Sequence, residues 1–138
     1  SGTSIVDVKC SGNVTGINGD LTFSGNNTEL SILVSGTDEV WGVNGDVNGS
    51  GKFVVTANSS AGQATGAKNV TATSVEIYVT AAKTATDVYG NLNLTDANLS
   101  NKLKAKGAAH PSCDDCSFLH PAKIVINPCP RLLPGFLP

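Results

Sequence analysis

The chain has 138 residues, a mass of 14.0 kDa and a formal net charge of −2, with 14% charged and 5% aromatic residues. That size holds one domain with a thin core of small side chains. The weak negative charge lacks the basic footprint of a nucleic-acid binder, and no run of eighteen apolar residues offers a transmembrane helix.

Strand patterns dominate from the start of the chain. Ser4 to Lys9 reads as an opening strand. Leu30, Ile32 and Val34 alternate with Ser31, Leu33 and Ser35; Val75, Ile77 and Val79 alternate with Glu76, Tyr78 and Thr80. Lys52–Thr56 and Lys123–Ile126 are shorter and more continuously apolar. The segment from Leu99 to Leu103, with Lys102 and Lys104, suggests one short helical turn.

Between these runs lie Asn18-Gly19 and Asn44-Gly45, pairs that suit type I′ hairpin turns because both residues accept positive φ. They belong to a repeat in which Val14–Leu21 matches Val40–Val47. Glycines recur at 16, 42, 66 and 90, a spacing of 24 to 26 residues. Such a period fits successive hairpins of an antiparallel β-sandwich of immunoglobulin-like size, or the coils of a short β-solenoid. The sandwich is the preferred expectation. Leu30, Ile32 and Val34 find no equally apolar counterparts at Thr56, Asn58 and Ala61, as stacked coils would require.

Residues 107–138 differ in kind from the β-rich domain at 1–106. All six prolines, both histidines and three of the four cysteines lie there. This Pro/Cys-rich extension is expected to pack on the same domain or on a neighbouring subunit. Its last residues carry an apolar set, Leu132, Leu133, Phe136 and Leu137, suited to assembly by strand addition or groove filling.

Several features point outside the cell. A chain starting Ser1-Gly2-Thr3 without Met matches the product of signal removal. Seven Asn-X-Ser/Thr sequons fall at Asn13, Asn26, Asn48, Asn58, Asn69, Asn93 and Asn98 and are expected to carry glycans. Cys10, Cys113, Cys116 and Cys129 are expected to form two disulfides, one joining Cys10 to a member of the C-terminal trio.

Chemistry-bearing patterns are sparse. Cys113-Asp114-Asp115-Cys116 has the Cys-X-X-Cys spacing, but two aspartates raise thiol pKa values, so it reads as structural. His110, Cys113, Cys116 and His120 offer zinc ligand types. Asp46, Asn48 and Ser50 place oxygen donors at alternate positions as a calcium loop does, without its closing Glu. No nucleophile-elbow motif is present, and the expectation is a protein that is not an enzyme and needs no cofactor. The preferred function is a secreted structural or adhesive subunit of a cell surface, filament or matrix, self-associating through its tail. A carbohydrate-binding module that stacks a sugar on Trp41, near Tyr78 or Tyr89, is the alternative. A secreted inhibitor or effector is the third reading.

Overall fold

The computed structural model describes residues 2–25, 27–95 and 101–107, together with the backbone of 116–118 and 123–125. Among the described residues every regular element is a strand: β1 Gly2–Lys9, β2 Val14–Asn18, β3 Leu21–Phe23, β4 Thr28–Gly36, β5 Val40–Gly49, β6 Lys52–Ser59, β7 Ala64–Ala72, β8 Ser74–Ala81, β9 Ala85–Val88, β10 Asn91–Leu94, β11 Asn101–Lys106, β12 Cys116–Phe118 and β13 Lys123–Val125.

The strands coil. One sheet runs β1-β4-β6-β8-β11-β12. The other runs β13-β10-β7-β5-β2, with β3 also on β5 and β9 also on β7. From β1 to β11 every pairing is parallel, as stacked coils demand. The protein is therefore a β-solenoid and not the antiparallel sandwich preferred from the sequence. The period explains the misreading. Ser31 lies 26 residues after its partner Ile5, but Val54 follows Ser31 by 23 and Glu76 follows Val54 by 22. A search at a constant 26 slides out of register after one coil. The true counterparts of Leu30, Ile32 and Val34 are Phe53, Val55 and Ala57, then Val75, Ile77 and Val79.

Coil lengths differ because loops and bulges absorb residues. Between Val43 and Asp46 the register of β5 on β7 shifts, so Asn44 and Gly45 together lie opposite Lys68. Asn18-Gly19 and Asn44-Gly45 thus mark a stacked irregularity in parallel strands, not hairpin turns. Their backbones bond along the stack, the Gly19 N–H donating to the Asn44 carbonyl at 3.1 Å.

The core lies between the two sheets, and its largest fully buried members include Phe53, Ile32, Ile77, Leu92 and Leu94. On β4, β6 and β8 alternate residues face it, which is the period-2 pattern visible in the sequence. The same alternation corrects the expected helical turn near Leu103. Leu103 and Ala105 point in while Lys102, Lys104 and Lys106 point out, so the segment is strand β11.

One column sets how closely the sheets approach. A Cβ on Gly16 would sit 2.6 Å from Val34 Cγ2 and 2.7 Å from the Gly42 carbonyl oxygen; one on Gly42 would strike Val55 and lie 2.5 Å from the Gly66 oxygen. Gly66 faces Ile77 in the same way. Three coils thus present bare backbone to β-branched side chains of the opposite sheet. The column ends at Asp87, the residue level with Gly66, which is completely buried. Gly90, the fourth glycine of the sequence repeat, is not in it.

At the far end the parallel order stops. Antiparallel β12 closes onto β11, and antiparallel β13 onto β10. Among its described residues, the C-terminal extension contributes one strand to each sheet. It also fixes Cys116 at the edge of the sheet opposite β1, the strand that Cys10 follows. Five strand steps of about 4.8 Å separate these edges, against about 4.4–6.8 Å between the Cα atoms of a disulfide. A Cys10–Cys116 bridge within one chain is excluded. Cys10 is an exposed free thiol; Cys113 and Cys129 lie outside the described residues.

Gly42→Ala is expected to cost about 1–3 kcal/mol, because the new methyl meets backbone on one side and Val55 on the other. The same change at exposed Ser60 should move stability by less than about 0.5 kcal/mol, and urea unfolding of both variants checks this.

Candidate functional site

The outward residues form rows along the stack, because each coil places equivalent positions about 4.8 Å apart. Three rows and one aromatic pair carry the polar chemistry of the described surface.

The first row is an amide and carboxylate ladder. The Asp46 N–H donates to Asp20 Oδ1 at 2.9 Å, Asn69 Nδ2 donates to Asp46 Oδ1 at 2.8 Å, and the Asn91 N–H donates to Asn69 Oδ1 at 2.8 Å. Asn44 Nδ2 adds a parallel rung to Asn18 Oδ1 at 3.2 Å. Beside it runs a second row, Thr22, Asn48, Thr71 and Asn93, level with one another across β3, β5, β7 and β10. Both rows line a shallow polar groove formed by Asp46, Asn48, Asn69, Thr71, Asn91 and Asn93.

This geometry redistributes the expected calcium donors. Asp46 and Asn48 lie on extended β5, and Ser50 follows it. Extended chain at about 3.3 Å per residue spreads the three over roughly 13 Å, whereas a calcium loop wraps its donors to within about 2.5 Å of one ion. Asp46 is engaged by Asn69, and Ser50 Oγ accepts from the Gly25 N–H at 3.0 Å. Among the described residues no three His, Cys, Asp or Glu side chains gather as metal ligands. The zinc candidates His110, Cys113 and His120 lie outside the described residues, and of Cys116 only the backbone is described.

The third row lies on the other sheet. Lys52 sits between Glu29, at 3.7 Å, and Glu76, with which it makes the closer ion pair. Tyr78 donates its hydroxyl to Glu76 Oε1 at 2.9 Å. The Lys52 hydrogen bond, helped by Tyr78 and the charges of Lys52 and Lys102, holds the Glu76 carboxyl below the usual glutamate range against its partial desolvation. Exposed Lys102, Lys104 and Lys106 continue this face.

Trp41 is half-buried, and its ring lies 6.4 Å from that of Tyr89, centroid to centroid, at 48°. Tyr89 is 55% exposed, so the pair presents an aromatic surface to solvent. Of the two tyrosines near which the sequence could place Trp41, the fold selects Tyr89; Tyr78 lies on the opposite sheet. Two polar residues close to Trp41 in the chain are already engaged. Glu39 accepts from Gln63 Nε2 at 2.8 Å, and the Asn44 amide is spent on Asn18.

The sequons divide by environment. Asn13, Asn48, Asn58 and Asn93 are exposed. Asn69 is half-buried, with its amide nitrogen donating within the ladder. Asn26 and Asn98 lie outside the described residues, as do the tail residues Leu132, Leu133, Phe136 and Leu137. The ladder itself was not read from the sequence. Its signal, Asp20 and Asp46 at matched places in the repeat, was present, but Asn69 and Asn91 come level with them only when the changing coil length is known.

No protein-family model, curated protein or solved structure matches this chain. Among the described residues no helix is long and apolar enough to cross a membrane.

Glu76 supplies a pH test. Its folded-state pKa is lowered, so its stabilising contribution is complete above the ordinary glutamate pKa and is lost as pH falls through the lowered value. Glu76→Gln is expected to cost at most about 1 kcal/mol at neutral pH, since solvent screens this surface pair. It should also flatten the acid limb of stability against pH, as followed by urea midpoints from pH 7 down to pH 3. An unchanged acid limb would remove Glu76 from the account.

Proposed function

We propose that this chain is an extracellular structural or adhesive subunit, glycosylated on its outer rows, that self-associates through its C-terminal tail. The observation that carries this reading is the parallel solenoid with unlike ends. One end is closed by the reversed strands β12 and β13, while the other leaves β1 as a long uncovered edge among the described residues. A long flat edge strand is a template for pairing with another chain. The exposed sequons Asn13, Asn48, Asn58 and Asn93 support an extracellular setting. The surface rows, rich in Asn, Thr, Ser and Asp, suit a hydrated exterior that repeats along an axis.

The test is negative-stain imaging of the purified chain together with light scattering. Extended assemblies that disappear on truncation after Asn127 are the expected result; a monodisperse monomer at all concentrations would overturn the reading.

The Trp41–Tyr89 pair favours a second reading, a carbohydrate contact in which a sugar ring stacks on the exposed aromatic surface. Trp41→Ala and Tyr89→Ala should each abolish glycan retention on an array without changing the circular dichroism spectrum. Retention undiminished in both variants would leave the pair a packing contact.

A further inference from the structure

The uncovered edge of β1 has a definite hydrogen-bonding parity. The Gly2 N–H donates to the Asn27 carbonyl at 3.4 Å, and the Cys10 N–H donates to the Ser35 carbonyl at 3.2 Å. Between them the register on β4 runs unbroken from Gly2 to Lys9. The even-numbered residues therefore spend their backbone groups on β4. Thr3, Ile5, Asp7 and Lys9 aim theirs away from it, where no described strand pairs with them. The edge is eight residues long, contains no proline and carries Ile5 at 66% exposure. The opposite edges, β12 and β13, are three residues each. Short strands are how sheets blunt their edges; β1 has no such protection.

The tail has the matching parity. Pro128, Pro130, Pro134 and Pro138 all occupy even positions. In extended chain, alternate residues direct their N–H groups to the same side. The side that carries Cys129, Arg131, Leu133, Gly135 and Leu137 therefore keeps every donor. We propose that residues 128–138 of one copy add antiparallel to β1 of a second copy, with Leu133 opposite Ile5. This rests on the self-association reading above and names its acceptor and register. In that register the chain's single arginine, Arg131, stands opposite Asp7, and Leu132 joins Val6 on the core side. The even face, made of prolines with Leu132 and Phe136, covers the end of the core where Val6 and Val8 are only partly buried. Proline on the outer side of the added strand prevents a further strand from joining there.

Reach selects a second copy over the chain's own edge. β13 ends at Val125 in the cap, on the far side of the stack from β1. Three residues from Val125 to Pro128 span about 10 Å at most, and four strand steps of about 4.8 Å separate the level of β13 from that of β2, which shares the first coil with β1. A donor strand that begins at Pro128 therefore meets only a neighbour. Such a contact is heterologous and joins copies head to tail unless it closes on itself.

The experiment measures self-association of the full chain by sedimentation velocity under reducing conditions. Leu133→Pro removes a donor from the pairing side and should weaken association roughly tenfold or more, while Leu132→Pro, on the proline side, should stay within about threefold of the parent. Asp7→Arg and Arg131→Asp should each weaken it by roughly tenfold, and the double exchange should restore it. A peptide of residues 127–138 added to the unaltered chain should dissolve the assemblies, and its Leu133→Pro version should not; this arm needs no altered protein to fold. Assemblies indifferent to the proline position, the charge exchange and the peptide would overturn this pairing and leave self-association standing. A parent chain that stays monomeric would overturn both.

Discussion

Each coil must lie flat on the one before it at hydrogen-bonding distance, and the rest of the molecule follows from that constraint. The constraint acts hardest at Gly16, Gly42 and Gly66. There the two sheets come so close that a methyl group would meet a neighbouring carbonyl and a β-branched side chain at once. Bare backbone at these positions lets Val34, Val55 and Ile77 fill the space. The core is consequently thin and aliphatic, and the scarcity of aromatic residues becomes a packing requirement. Phe53 is the one fully buried aromatic side chain among the described residues, stacked toward Phe23 at 6.4 Å.

Axial stacking also organises the polar groups. The turns bond to turns one coil away: the Asp38 N–H to the Gly12 carbonyl, the Ala61 N–H to Thr37, and the Lys83 N–H to Gly62, at 2.8–3.1 Å. Side chains repeat the theme in the Asp20–Asp46–Asn69–Asn91 ladder. Every such bond joins residues more than twenty positions apart, so the solenoid is held by contacts that are local in space and distant in sequence. The two ends differ because reversed strands close only one of them.

Much of this was legible. The alternation in Leu30–Ser35 and Val75–Thr80 marks half-buried strands, and both are strands facing the core. The match between Val14–Leu21 and Val40–Val47 marks two coils stacked residue on residue. What failed was the extrapolation. Asn-Gly has the same local preference in a hairpin and in a stacked bulge, and a dipeptide cannot report whether the following strand reverses or continues. The shrinking coil length hid the equivalence of Ile32 and Val55, and with it the column that would have favoured the solenoid. Trp41 was recognisable as a candidate, but its partner was not, because Tyr89 approaches it from two coils away.

By itself, the sequence determined that the chain is all-β, small in its side chains and dense in sequons. These properties follow from composition and from period-2 alternation, which are local. Only the tertiary structure decided that neighbouring strands run parallel and that Cys10 and Cys116 lie at opposite ends. It alone brought Asn69 level with Asp46, and it alone left β1 without a described partner on one side. Those facts depend on the register between coils, which is set by loop lengths and bulges accumulated along the whole stack and is written in no single segment of the chain.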